Sequence, residues 1–114
     1  MGTAAAAYTP ETVLAGEKII SADSHIMEPD DLWIKNLTPS LKSKYPNYPK
    51  RNSPGEKAGG WDPKARIEEM EVDGVSAEVL YPTLGLRLFA IEDAELQEAC
   101  FQIANDWMIE YCKA

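Results

Sequence analysis

The chain has a single histidine, His25, and it stands two residues after Asp23 in Asp23-Ser24-His25. On an extended backbone, residues two apart point to the same side. A carboxylate oxygen and an imidazole nitrogen presented together suit a divalent ion such as Zn, Mn or Fe. Glu28 follows three residues later, placed to join as a third ligand or to accept a hydrogen bond from one. The plainer arrangement is an Asp accepting from turn amides beside a surface or packing histidine, and spacing alone does not choose between the two. Arg87 is a candidate of a second kind, a guanidinium able to grip a substrate carboxylate; the alternative is a solvated or ion-paired arginine. Tyr81 and Thr83 fall at the end of an expected strand, where they serve either a site or packing and a turn.

These residues need elements to hold them. Residues 18–22, Lys-Ile-Ile-Ser-Ala, read as a short buried strand that delivers Asp23 and His25 at its C-terminal end. Glu28-Pro29-Asp30-Asp31 then forms a turn and a helix start, with Leu32, Trp33 and Ile34 as its apolar content. Residues 34–61 make a long Pro/Lys-rich loop, whose proline density argues against regular structure and for a solvated excursion. Asp62 and Pro63 open a helix as N-cap and first residue, and Gly74 stops it. Residues 75–81 form a second strand, which makes a parallel strand–helix–strand unit. Asp93 caps a last helix with an apolar stripe of Leu96, Cys100, Ile103, Trp107 and Tyr111. Trp33 and Trp107 are expected in the core, and Asn105 and Asp106 are expected to bond a neighbouring loop.

Composition narrows the partners. The chain has 114 residues, with 19 acids against 11 bases and a net charge of −8. That balance disfavours nucleic acid, which attracts a basic face, and anionic membrane surfaces. No apolar run nears the roughly 20 residues of a membrane span. Residues 1–7 contain no base and make a poor signal peptide, and Ala6 occupies the position where a myristoylation signal has Ser or Thr. Cys100 and Cys112, twelve residues apart on one expected helix, stand about 18 Å apart along its axis. They cannot bond to each other, and two free thiols point to a reducing, cytoplasmic setting. Residues 1–16 read as a flexible leader and residues 17–114 as one domain. Two parallel strands leave two open edges, and the last helix wants a larger apolar surface than its neighbours offer. Both features point to a fragment or a small subunit.

The stretch Ile-Ser-Ala-Asp-Ser-His-Ile-Met-Glu-Pro-Asp-Asp-Leu-Trp at 20–33 resembles the start of the amidohydrolase-related family, in the aminocarboxymuconate-semialdehyde decarboxylase-like branch of the amidohydrolase superfamily. Arg66, Glu69-Met70, Asp73-Gly74-Val75 and Tyr81-Pro82-Thr83 are similar to a second block of that family, and Asn105-Asp106-Trp107 to a third. The resemblance runs in order over about residues 18–113. It implies the N-terminal part of a (β/α)₈ TIM-type barrel, with Asp23 and His25 as the metal ligands from strand one. A complete barrel of this kind takes about 250 residues. The family's later histidine ligands have no counterpart, because His25 is the only histidine.

The implied activity is metal-dependent hydrolysis of C–N or C–O bonds, or non-oxidative decarboxylation, on a small-molecule carboxylate. No complete catalytic set is present, so the metal and the activity are expected only with a completing partner: a larger amidohydrolase-like subunit or a homo-oligomer. The alternative is a non-enzymatic binding or structural module derived from the same fold.

Overall fold

The computed structural model describes residues 16–51 and 55–114. Residues 1–15 of the expected leader lie outside the described residues, as do residues 52–54 of the expected loop. The chain is a mixed α/β structure with a two-stranded parallel sheet. Strand β1 is Ile20–His25 and strand β2 is Ala77–Tyr81. Between them lie the short helices α1 (Leu32–Asn36) and α2 (Pro39–Lys42), a 3₁₀ turn (Ala58–Gly60) and helix α3 (Pro63–Asp73). A 3₁₀ segment (Leu84–Ala90) and helix α4 (Ala94–Tyr111) follow β2.

The long helices start and stop where their end residues dictate. Asp62 accepts the backbone N–H groups of Lys64 and Ala65 at 3.0 and 3.4 Å, with Pro63 filling a position whose N–H would have no partner. Gly74 takes φ +73°, and Val75 N–H closes back on Met70 O at 2.9 Å, the geometry that ends a helix on a glycine. Asp93 caps α4 through Leu96 N–H at 3.0 Å.

Two expectations are corrected. The stretch 34–61 is not a solvated excursion without regular structure. It holds the end of α1, all of α2 and a 3₁₀ turn; Leu41 is buried and Tyr45 packs on the core. Pro39 allows this because it sits in the first turn of α2, where a missing N–H costs no hydrogen bond. Nor is β1 a buried strand. Ile20 is 62% exposed, and on β2 Val79 and Tyr81 are 46% and 44% exposed, because no described element covers that face.

The core lies to one side of the sheet. It joins Leu32, Trp33 and Leu37 of the α1 region, Leu84 and Leu88 of the 3₁₀ segment, and Leu96 and Cys100 of α4. Trp33 is fully buried and donates its indole N–H to Cys100 O at 3.0 Å. The stripe read from the sequence faces this core: Leu96, Cys100 and Tyr111 are buried, and Ile103 and Trp107 pack against it half-buried. Both cysteines are free. No helix among the described residues is long and apolar enough to cross a membrane.

Candidate functional site

The loops that follow β1 and β2 hold one another together, and the anchor is Glu28. Its side chain is 1% exposed. Oε1 accepts the backbone N–H groups of Thr83 and Leu84, both at 3.0 Å, and Oε2 accepts that of Gly85 at 2.6 Å. These are the amides at the start of the 3₁₀ segment, which have no partner within their own helix. Glu28 therefore caps that segment from the other loop, with its negative charge at the positive end of the amide row. Thr83 completes the joint by donating its hydroxyl to Ile26 O at 2.6 Å. Both carboxylate oxygens of Glu28 are engaged with backbone, and the residue orders the loop beside the His25 strand end.

Asp23 and His25 come together at the C-terminal end of β1. The register pairs Ile20 with Ala77 and His25 with Tyr81, and it slips between Ser21 and Ser24. Partners across a parallel register share a face, and Ala77, Val79 and Tyr81 alternate onto one face of β2. Ile20 and His25 are five apart, an odd number, yet they lie on that same face. The irregularity in β1 turns His25 there. Asp23 Oδ1 stands 3.3 Å from His25 Nε2 on the same side, with the two side chains 80% and 50% exposed. The imidazole lies 5.9 Å from the Tyr81 ring, centroid to centroid.

Two backbone bonds fix His25. Its Nδ1 lies 3.1 Å from Pro82 O. A carbonyl only accepts, so Nδ1 carries the hydrogen; Nε2 faces Asp23 Oδ1, donating to it in the protonated ring and offering a lone pair on that side in the neutral one. Arg66 donates Nη1–H to the His25 carbonyl at 3.0 Å. The same guanidinium grips Glu78 with two bonds, Nε to Oε1 at 3.3 Å and Nη2 to Oε2 at 2.5 Å. The Arg66 bond holds the Glu78 carboxyl below its usual range against the opposing effect of burial. Arg66 is in turn pushed up, first by its bond to Glu78. Helix α3 is thus tied to both strands at the site.

The Asp23–His25 pair is chemically a pair of donors. Two ligand atoms at about 2.0–2.1 Å from a tetrahedral ion lie about 3.3–3.4 Å apart, which matches the observed 3.3 Å. The donor set fits one edge of a divalent-ion site. Among the described residues no three His, Cys, Asp or Glu side chains gather into a group that could hold an ion.

Arg87 lies in the 3₁₀ segment after β2, within the α1–α2 side of the molecule. Its guanidinium carbon sits 3.9 Å over the Tyr48 ring and 5.8 Å from the Trp33 ring. Tyr81 stands beside His25, and Thr83 is a loop-joining residue. Asn105 and Asp106 are exposed and bond no loop among the described residues, because α4 turns its apolar stripe, not that edge, to the core. Sequence reasoning gave no role to Arg66, to the Pro82 carbonyl or to Gln97, whose amide donates to Leu88 O and Ile91 O at 3.1 and 3.2 Å. Arg66 had a signal only as part of the second block that resembles the family; the other two had none.

The sequence matches no protein-family model and no curated protein.

Proposed function

We propose that this chain is the N-terminal portion or small subunit of a metal-dependent enzyme of the amidohydrolase type, inactive until further ligands complete its site. The observation that carries this reading is the Asp23–His25 donor pair, set at a strand end with an N···O separation of 3.3 Å. The parallel strands and their open apolar face fit the inner wall of a (β/α)₈ barrel. The reaction class is hydrolysis or non-oxidative decarboxylation of a small carboxylate, with Arg87 as the candidate group for the substrate anion.

A bound divalent ion supplies Lewis-acid polarisation and lowers the pKa of water. The chain's own part is positioning. Pro82 O holds the Nδ1 hydrogen and so keeps Nε2 free as a donor atom. Arg66 fixes the His25 backbone, and the carboxylate of Asp23 supplies the negative charge.

Zinc titration of the chain followed by histidine NMR tests the reading. Zinc is expected to shift the His25 Nε2 resonance while Nδ1 keeps its hydrogen, and Asp23→Ala is expected to weaken the effect. Affinity should fall well short of the roughly 10–16 kcal/mol of complete zinc sites. An unmoved Nε2 removes the ligand assignment; tight one-to-one zinc on this chain alone contradicts the need for further ligands. The absence of a three-residue donor group among the described residues favours one other reading, a non-enzymatic module of the same fold. That reading gains if zinc leaves His25 unchanged while the chain folds cooperatively by itself.

A further inference from the structure

A second cavity, of about 240 Å³, lies between the Tyr45–Lys50 stretch and Arg87. At about 30 Å³ per water, that is room for about eight waters. One part of its wall is apolar and aromatic, with Ile34, Pro46, Pro49 and the rings of Tyr45 and Tyr48; the rest is polar. Arg87 is the one cation set into these walls beneath an aromatic ring.

The inner N–H of Arg87 finds no acceptor among the described residues. Among the described residues it makes no ion pair, whereas Arg51 pairs with Asp30 and Glu56, and Arg66 with Glu78. Its Nε is buried and has no hydrogen-bond partner, and neither has the buried hydroxyl of Tyr45. That hydroxyl lies beside the Arg87 guanidinium without meeting hydrogen-bond geometry. Arg51 Nε is likewise without a hydrogen bond but has the Asp30 and Glu56 carboxylates beside its guanidinium, whereas Arg87 has no ion-pair partner among the described residues, and buried polar groups are almost always paired. Two adjacent unpaired donors at one cavity wall mark the place of an acceptor.

Two acids, Asp30 and Asp31, and two bases, Lys50 and Arg87, line the cavity. Asp31 is ion-paired with Lys35 and Asp30 with Arg51, though Oδ1 of Asp30 is buried without a hydrogen-bond partner. Lys50 adds a second cation at the exposed edge. The planar fork of a guanidinium matches the two oxygens of a carboxylate, and the stacked Tyr48 ring holds that fork in one plane.

We propose that this cavity binds a small monocarboxylate with an apolar body, its two oxygens on Arg87 and the Tyr45 hydroxyl and its body against Tyr48, Pro46 and Pro49. The proposal shares Arg87 with the reading above but does not rest on the metal assignment, so either can fail alone. The test uses the whole chain with ¹⁵N-labelled arginine, titrated with butyrate, inorganic phosphate and butylamine in turn. Butyrate is expected to move the Arg87 Nε–H signal saturably, and Arg87→Gln to weaken butyrate binding by at least about tenfold. Arg87→Lys, which keeps the charge and loses the fork, should fall between. Asp23→Ala and His25→Ala should leave butyrate binding unchanged. The proposal is overturned if butyrate leaves the wild-type Nε–H signal in place, a readout that needs no variant to fold. It is overturned equally if phosphate or butylamine binds as well as butyrate, or if the Asp23 and His25 variants lose butyrate.

Discussion

Replacing Glu28 by Gln changes one oxygen to an NH₂ and leaves the shape almost unaltered. Glu28 accepts three backbone N–H groups while 1% exposed. The amide oxygen of Gln can keep the two bonds to Thr83 and Leu84. Its NH₂ must then face Gly85 N–H across the 2.6 Å that now holds a hydrogen bond, and two donors repel. Hydrogen bonds to a charged group contribute about 1.5–3 kcal/mol each and neutral ones about 0.5–1.5. Two bonds weakened by about 1 kcal/mol each and a third lost at about 2 total about 4. The lower cost of burying a neutral amide offsets part of that, leaving a net loss of about 3 kcal/mol. For a domain of this size each kcal/mol moves Tm by about 4–8 °C, so Glu28→Gln should lower Tm by about 12–24 °C. Urea unfolding gives the free energy, and hydrogen exchange places it: the amides of residues 83–85 should lose protection more than those of α3. A variant within about 0.5 kcal/mol of wild type, the usual span of a neutral surface change, would refute the capping argument. So would a loss spread evenly over the chain's amides.

Three further outcomes follow from packing and charge. The Glu78 carboxyl is held low by Arg66, so an unfolded chain takes up the proton first; the stabilisation is complete above the usual value of 4.5 and drains as pH falls through the lower folded value. Glu78→Gln should therefore be destabilising at pH 7 yet flatten the fall in stability below about pH 4.5, read from urea midpoints against pH; an unchanged acid limb would show that the pair contributes nothing. Cys112 is exposed, while Cys100 is buried with its thiol pushed up by burial; a thiol reagent should consume one cysteine at once and the second only as the chain opens, and two equal rates would contradict the core assignment. Val79, 46% exposed on the open face, should tolerate Thr within about 0.5 kcal/mol, whereas the fully buried Leu88 should lose about 2–5 kcal/mol as Ala, both measured by urea unfolding.

Local chemistry was legible in the sequence. Asp62-Pro63, Gly74 and Asp93 set helix ends because caps and stops act within one turn of chain, and the α4 stripe was legible because a helix repeats its face every three or four residues. Proline misled where its position mattered more than its count: Pro39 starts a helix instead of breaking one. The partners of Glu28 were out of reach, since they lie 55–57 residues away. The chemistry of the residue was visible, and the three amides that engage it were not.

The strand that carries Asp23 and His25 makes the same point about direction. Unbroken alternation from Ile20 would place Asp23 and His25 on the face opposite Ile20, toward α3, where Ser21, Ser24 and Glu78 are half-buried. There the pair would compete for space with the Arg66–Glu78 clamp. The register slip between Ser21 and Ser24 reverses this and sets His25 beside Tyr81 on the open face. No glycine marks the slip, so nothing in the residue types announces it. Ser21, Ser24 and Glu78 share the half-buried face with Leu80, while Ile20, Val79 and Tyr81 stand on the open face with Asp23 and His25, so much of the sheet's apolar surface lies on the side that no described element covers. An apolar face left open costs free energy unless something covers it, and the donor pair stands on that face. Any group that covered the face would stand beside that pair.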